Sequence, residues 1–235
     1  PLAGEFSQSD ETLSVREIRF LGKVCGQACL LLLALFGPAA DFDWMLGRYC
    51  LRALGLGWLV VAAFLWVGNR KLFLRRTSTS EQTPAWDARI LLGIQLSVLG
   101  LFAVASLDSG RQALQVQWPQ FGLGCGLLWL GQLVFLLSLL QNQFFAVTIY
   151  PQEEQKVVTT GLYAWVRHPG YLGLLVGTLG IPLMLRSTWA LLPWLCLLTL
   201  LALRIQREEG YLGRRLAGYN EYRGRTRFRL VPGLW

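Results

Sequence analysis

The chain has 235 residues, of which 54% are hydrophobic and only 15% charged, and its mean hydropathy is +0.42. That balance, with apolar stretches of near-spanning length recurring along the chain, excludes an ordinary soluble domain and defines a polytopic membrane protein. The 22 Lys and Arg against 14 Asp and Glu give a net charge of +8; in a membrane chain this excess reports topology and contact with anionic lipid headgroups, and no interleaved basic and aromatic stripe argues for nucleic acid.

The sequence opens at Pro1 without a methionine, so residues 1–6 read as a processing product or a cloning remnant, and residues 1–19 form a polar leader of both charge signs. Six apolar runs follow, at 20–40, 51–67, 90–107, 121–140, 171–185 and 188–203. The first lacks a small-x-small cleavage site and is kept as a span rather than a signal peptide. In hydrocarbon only helices or closed barrels satisfy every backbone group, and continuous apolar runs of this length are helical rather than alternating. The expected fold is therefore all-α, a polytopic transmembrane bundle of about six helices. The fifth run, at about 1.5 Å per residue, reaches only about 22 Å, short of a hydrocarbon core of about 30 Å. With Arg186-Ser187-Thr188 as its turn, it should pair with the sixth as a tight hairpin. The predicted division is into N-terminal transmembrane helices over 1–140 and a core of loop, hairpin and tail over 141–235.

Loop charges give a topology. Placing the N-terminus, 68–89, 141–170 and the tail on one side collects 18 of the 22 Lys and Arg, leaving Arg48, Arg52, Arg111 and Arg186 opposite. By the positive-inside rule both termini face the cytoplasm.

Some features read as structural. Cys25, Cys29, Cys50, Cys125 and Cys196 include no C-x-x-C and accompany a single histidine, which argues against a metal site and for small packing residues. Gly122, Gly124 and Gly126 follow no predicted strand, so a dinucleotide loop gives way to a close helix-packing face. Trp44, Trp86, Trp118 and Trp189, near span ends, suit interfacial anchoring.

The sole histidine lies in the passage Gly161-Leu-Tyr163-Ala-Trp165-Val-Arg167-His168-Pro169-Gly170-Tyr171-Leu-Gly173, directly before the fifth run. Proline fixes its own φ and biases its predecessor away from the α region, so His168-Pro169 predicts an extended step into a helix start. The imidazole and the following N–H groups would then stand at a helix mouth suited to an anionic ligand. At the end of the sixth run, Arg204 and Glu208 fall at i and i+4. The plain reading is a surface ion pair with snorkelling arginines. A hairpin, however, would bring the start of the fifth helix and the end of the sixth together, gathering His168, Tyr171, Arg204 and Glu208 at one bundle mouth, and ionisable groups gathered there point to a functional site. Beyond Glu209, Leu212, Leu216 and Tyr219 at helical spacing beside Arg214 and Arg215 predict a C-terminal interfacial helix, serving as lipid anchor or as lid, with Gly218 opposing a long uninterrupted one.

These motifs, with the tail Tyr219-Asn-Glu-Tyr222-Arg223 running to Val231-Pro-Gly233, together resemble the isoprenylcysteine carboxyl methyltransferase family and its bacterial and archaeal relatives, over about residues 142–235. The resemblance implies an integral membrane methyltransferase using S-adenosyl-L-methionine. The matching cofactor positions are Gln155, Lys156, Val157, Val158, Tyr163, His168, Pro169, Gly170, Tyr171 and Glu208, and the arginine facing the methyl acceptor falls on Arg204. A family glutamine of the approach loop has two candidates, Tyr150 and Gln152. Aromatic faces at Tyr163, Trp165 and Tyr171 would shield a sulfonium. The implied partner is a lipidic or hydrophobic acceptor entering from the bilayer, with prenylated cysteine as one possibility among lipids, quinone-like molecules and small hydrophobic carboxylates or thiols. Two other classes stay open: a sterol-reductase type of membrane protein using NADPH, and a non-catalytic lipid-binding protein.

Overall fold

A computed structural model describes residue 22 and residues 24–76, 83–112, 114–146, 148–149 and 155–235. Tyr150, Gln152 and the leader lie outside the described residues. The chain is all-helical: α1 (Val24–Phe36), α2 (Met45–Arg76), α3 (Ala85–Ser109), α4 (Trp118–Gln141), α5 (Pro169–Met184), α6 (Leu191–Arg215) and the short α7 (Tyr219–Arg225). Among the described residues no strand forms, and a single parallel bridge joins Val166 to Phe228.

Among the described residues three helices are long and apolar enough to cross a membrane: Met45–Phe64, Ala85–Gln112 and Trp118–Gln141. α1 and α5 are shorter apolar helices. α6 is continuous, but its apolar part ends at Leu203 and its last three turns carry Arg204, Arg207, Glu208, Glu209, Arg214 and Arg215. One helix thus provides both a core-packing segment and a polar platform beyond it.

α5 and α6 fold back on one another through a turn in which Arg186 takes φ 54° and the Ser187 amide donates to Pro182 O at 2.9 Å. Each nonetheless packs mainly on an earlier helix, α5 along α4 and α6 along α3. The α4–α5 seam is made by glycines. Gly124 faces Gly180, where an added Cβ would stand 2.7 Å from the carbonyl oxygen, and seven residues on Gly131 faces Gly173 and Gly177. Small residues let two backbones approach closely where lipid tails supply no hydrophobic drive. Gly122 and Gly126 have open space around them, correcting the expected three-glycine face. Two residues along a helix is a rotation of about 200°, so only Gly124 points at α5.

At one end of the bundle Leu35, Phe36, Trp44, Leu101, Phe102, Met184 and Leu185 interlock. Ser187 there donates to Asp108 Oδ2 at 2.7 Å, and Ser106 Oγ accepts from the Ala39 amide at 2.9 Å. Trp44, expected as an interfacial anchor, is buried in this cluster, whereas Trp118 and Trp189 are exposed. Of the cysteines Cys50 is buried in the core, while Cys25, Cys29 and Cys196 lie on the outer surface rather than serving as packing residues. The opposite end collects the start of α3, the end of α4, the start of α5 and the charged end of α6, and there the polar loop and the tail meet.

Candidate functional site

The end of α4 positions the loop that leads into α5. Gln141 Oε1 accepts the Leu162 amide at 2.8 Å, and the buried Tyr163 hydroxyl lies 3.3 Å from Asn142 Nδ2 and donates to Ser138 O at 3.4 Å. These contacts hold a 3-10 turn over Gly161–Ala164. His168 follows at φ −127°, ψ 61°, and Pro169 opens α5 at its first position, as its missing N–H and fixed φ favour. The imidazole is 7% exposed and stacks on Tyr171, with ring centroids 5.5 Å apart and planes at 11°.

From α6, Arg204 and Glu208 reach the same place, but not as a pair with each other. The Tyr171 hydroxyl donates to Glu208 Oε2 at 2.7 Å. Arg204 is 5% exposed, grips Asp87 through Nε to Oδ1 at 2.9 Å and Nη2 to Oδ2 at 3.3 Å, and lies 5.5 Å from the Tyr171 ring centroid. Asp87, in the first turn of α3 and fully buried, also accepts the Ile149 amide at 3.0 Å. This corrects the surface ion-pair reading of Arg204 and Glu208: both are engaged by residues of other helices, because the α6 face carrying them turns inward.

Glu209 organises the next layer. It is 2% exposed and accepts from Arg167 at 2.7 Å and Arg229 at 3.0 Å, with Arg223 3.9 Å away. His168 Nε2 lies 3.4 Å from Glu209 Oε1, outside hydrogen-bond alignment. Burial pushes the Glu209 carboxyl up, but His168, Arg167 and Arg229 reverse this and hold it below its ordinary value. The cluster fastens the tail to the loop. Arg167 N–H donates to Phe228 O at 2.9 Å, His168 N–H to Arg229 O at 3.0 Å, and the Tyr222 hydroxyl to Tyr163 O at 2.8 Å. Burial pushes the Tyr222 phenol up to about 12 and that of Tyr219 also well up, so both are protonated at neutral pH.

The tail is therefore not one long surface helix. α6 stops at Arg215, Gly218 turns at φ 78°, and α7 folds back over the loop with Tyr219 and Tyr222 buried. Leu212, Leu216 and Tyr219, expected on one interfacial face, line a cavity.

That cavity has a volume of about 120 Å³ and is partly open to its surroundings. Gln155, Lys156, Val157 and Val158 line it together with Tyr163, His168, Pro169, Gly170, Tyr171, Arg204 and Glu208, so the matching cofactor positions and Arg204 all border one cavity. Trp165 does not join them: it is 74% exposed and outside the lining, correcting its expected place as an aromatic shield. Three lining side chains carry buried polar atoms with no hydrogen-bond partner among the described residues, namely Thr148 Oγ1, Arg167 Nε and His168 Nε2. Orphaned buried polar atoms are costly, and their gathering around one cavity suits a polar ligand.

Asp87 and Thr148 are not among the sequence candidates, and Glu209 and Tyr222 enter only as parts of motifs, with no site role. Asp87 carried a usable signal, as an acid directly before an apolar run. Glu209 was visible beside Glu208, but adjacent residues on a helix point about 100° apart and nothing local tells which faces the loop. Thr148 carries none.

An all-helical bundle with membrane-length apolar helices and a polar cavity at one end defines the class, a polytopic helical membrane bundle. Residues 124–214 match the model of the isoprenylcysteine carboxyl methyltransferase (ICMT) family, a stretch from within α4 to the end of α6. The likeness to that family covers this stretch, less than half of the chain. No curated protein matches the chain.

Proposed function

We propose that this protein is an S-adenosylmethionine-dependent methyltransferase acting on a hydrophobic or lipidic acceptor that enters from the bilayer, with the site and both termini facing the cytoplasm. The observation that supports this most is the cluster of buried polar atoms on Thr148, Arg167 and His168 that make no hydrogen bond among the described residues, in a cavity that also presents the Glu208 carboxylate and the Tyr163 and Tyr171 side chains. These groups fit a cofactor with both hydrogen-bonding and cationic parts. When bound, S-adenosylmethionine supplies a methyl group activated by a sulfonium.

In this reading the residues bind, align and dehydrate rather than exchange protons. The backbone of Gln155, Lys156, Val157 and Val158, with Pro169 and Gly170, shapes the cofactor's bed. Glu208 accepts hydrogen bonds from amino or hydroxyl groups, and His168 Nε2 meets a polar group from the opposite side. Tyr163 and Tyr171 present aromatic surface to a cation. Arg204 stands toward the acceptor, where a guanidinium suits a carboxylate such as that of a prenylcysteine-like molecule. An in-line displacement in which charge diminishes gains most from alignment and exclusion of water, and Leu212, Leu216 and Tyr219 close the cavity from the tail side.

Isothermal titration of the purified full chain with S-adenosylhomocysteine and, separately, NADPH tests the reading, followed by a labelled-methyl transfer screen against membrane lipid extracts and prenylcysteine analogues. Binding of S-adenosylhomocysteine alone is expected. Binding of NADPH alone would replace this reading with a reductase, and binding of neither with a non-catalytic lipid-binding protein.

A further inference from the structure

Asp87 is a carboxylate with no exposed surface, it stands outside the family-matched stretch, and it is not in the cavity lining. Both its oxygens are nevertheless committed toward the site. Oδ1 takes Arg204 Nε at 2.9 Å, and Oδ2 takes Arg204 Nη2 at 3.3 Å and the Ile149 amide at 3.0 Å. From these contacts we infer that Asp87 is a positioning residue: it sets the direction of the Arg204 guanidinium and ties it to the 148–149 wall of the cavity. The inference rests on the methyltransferase reading for what Arg204 does, but not for the contact itself.

The physical case is one of cost and geometry. A buried carboxylate–guanidinium pair contributes little over apolar residues of the same volume, because desolvating both charges offsets their attraction. Stability alone is therefore a weak reason for placing Asp87 under Arg204. Direction is a better one. An arginine side chain has four rotatable bonds, and a two-point grip on Nε and Nη2 removes the freedom to rotate the planar fork. The ring of Tyr171, 5.5 Å from the guanidinium carbon, supports the same orientation, and Tyr171 is in turn held by Glu208. Asp87, Arg204, Tyr171 and Glu208 so form a chain of contacts from α3 through α6 and α5 back to α6. The front half of the bundle thereby contributes to the site a group that sets the angle of an acceptor-facing residue.

The test uses the full chain in lipid nanodiscs, as wild type, Asp87→Asn and Asp87→Glu. Three readouts are taken: S-adenosylhomocysteine affinity, the rate of labelled-methyl transfer to membrane lipid extract, and the Arg204 Nε–H resonance, assigned by its loss in Arg204→Lys. Asp87→Asn is expected to keep cofactor affinity within about threefold, to lower transfer by about 100-fold, the scale of a misplacement near 1 Å, and to broaden or shift the Nε–H signal. Asp87→Glu should restore the Nε–H signal in part and recover part of the rate. Transfer by Asp87→Asn within about threefold of wild type, or an unchanged Nε–H signal, overturns the inference. So does loss of affinity and transfer in equal proportion, which would mark a merely structural role. If Asp87→Asn does not fold, Asp87→Glu decides alone: a wild-type rate and an unshifted Nε–H signal overturn the inference. Wild type that binds no S-adenosylhomocysteine ends the methyltransferase reading instead, while the Nε–H comparison still reports on the Asp87 contact.

Discussion

The Tyr171 hydroxyl donates to Glu208 Oε2 at 2.7 Å, joining the first turn of α5 to the late turns of α6 across 37 residues. It is the bond that the hairpin makes possible and that neither helix could make alone. Tyr171→Phe keeps the ring against His168 and removes only the donor. With Glu208 as a cofactor contact, the change should weaken S-adenosylhomocysteine binding by roughly tenfold, the scale of one hydrogen bond to a charged group at about 1.5 kcal/mol. Titration calorimetry measures it, and wild-type affinity in the variant would remove Glu208 from the cofactor's contacts.

Glu209 ties the tail to the loop through Arg167 and Arg229. Glu209→Gln leaves those cations without a counter-charge, and breaking one partner out of a buried ion cluster costs about 3–5 kcal/mol. The tail should loosen, exposing Arg223, Arg225, Arg227 and Arg229 to trypsin while α1–α5 stay folded. Equal tryptic half-lives for wild type and variant would show that the tail is held by other contacts.

The same residue gives a pH dependence. Its folded value is lower than its ordinary value of 4.5, so the unfolded state binds the proton more readily. The contribution is then fully present above that ordinary value and is lost as pH falls below it through the depressed folded value. Tail protection from an acid-active protease should decline over that acidic range in wild type and stay flat in Glu209→Gln. Parallel profiles in the two proteins would assign the transition to another carboxylate.

The α4–α5 seam predicts a contrast between two glycines of the same helix. Gly131→Ala drives a methyl into the backbone of Gly173 and Gly177 and should destabilise by about 1–3 kcal/mol, as overpacking does. Gly122→Ala, with open space around it, should be neutral or slightly stabilising. Thermal melts in detergent compare them, and equal melting temperatures would mean that the seam is looser than its geometry.

Tyr222 offers a smaller effect at a defined place. Its hydroxyl reaches Tyr163 O at 2.8 Å in a buried setting, so Tyr222→Phe leaves that carbonyl with the longer bond from the Thr226 hydroxyl, at a cost of about 1 kcal/mol. The melting temperature of the variant in detergent should drop modestly.

What the sequence determined by itself were the properties carried by runs and neighbours. Apolar runs specified helices and their order, because hydrocarbon leaves the backbone few other choices. Pro169 specified where α5 begins, and the bundled motif from Tyr163 to Glu208 specified which side chains meet at one mouth. Tertiary structure decided direction and partnership. Arg204 looked like a partner for Glu208 four residues away, yet its fork turns to Asp87, 117 residues distant, because α6 packs along α3 and its inner face is set by that contact. Glu209 looked equivalent to Glu208 and became the buried anchor of the tail, since Gly218 turns the chain back over the loop. Helical spacing fixes angles around one axis, and only the packing of several axes decides which angle faces a cavity.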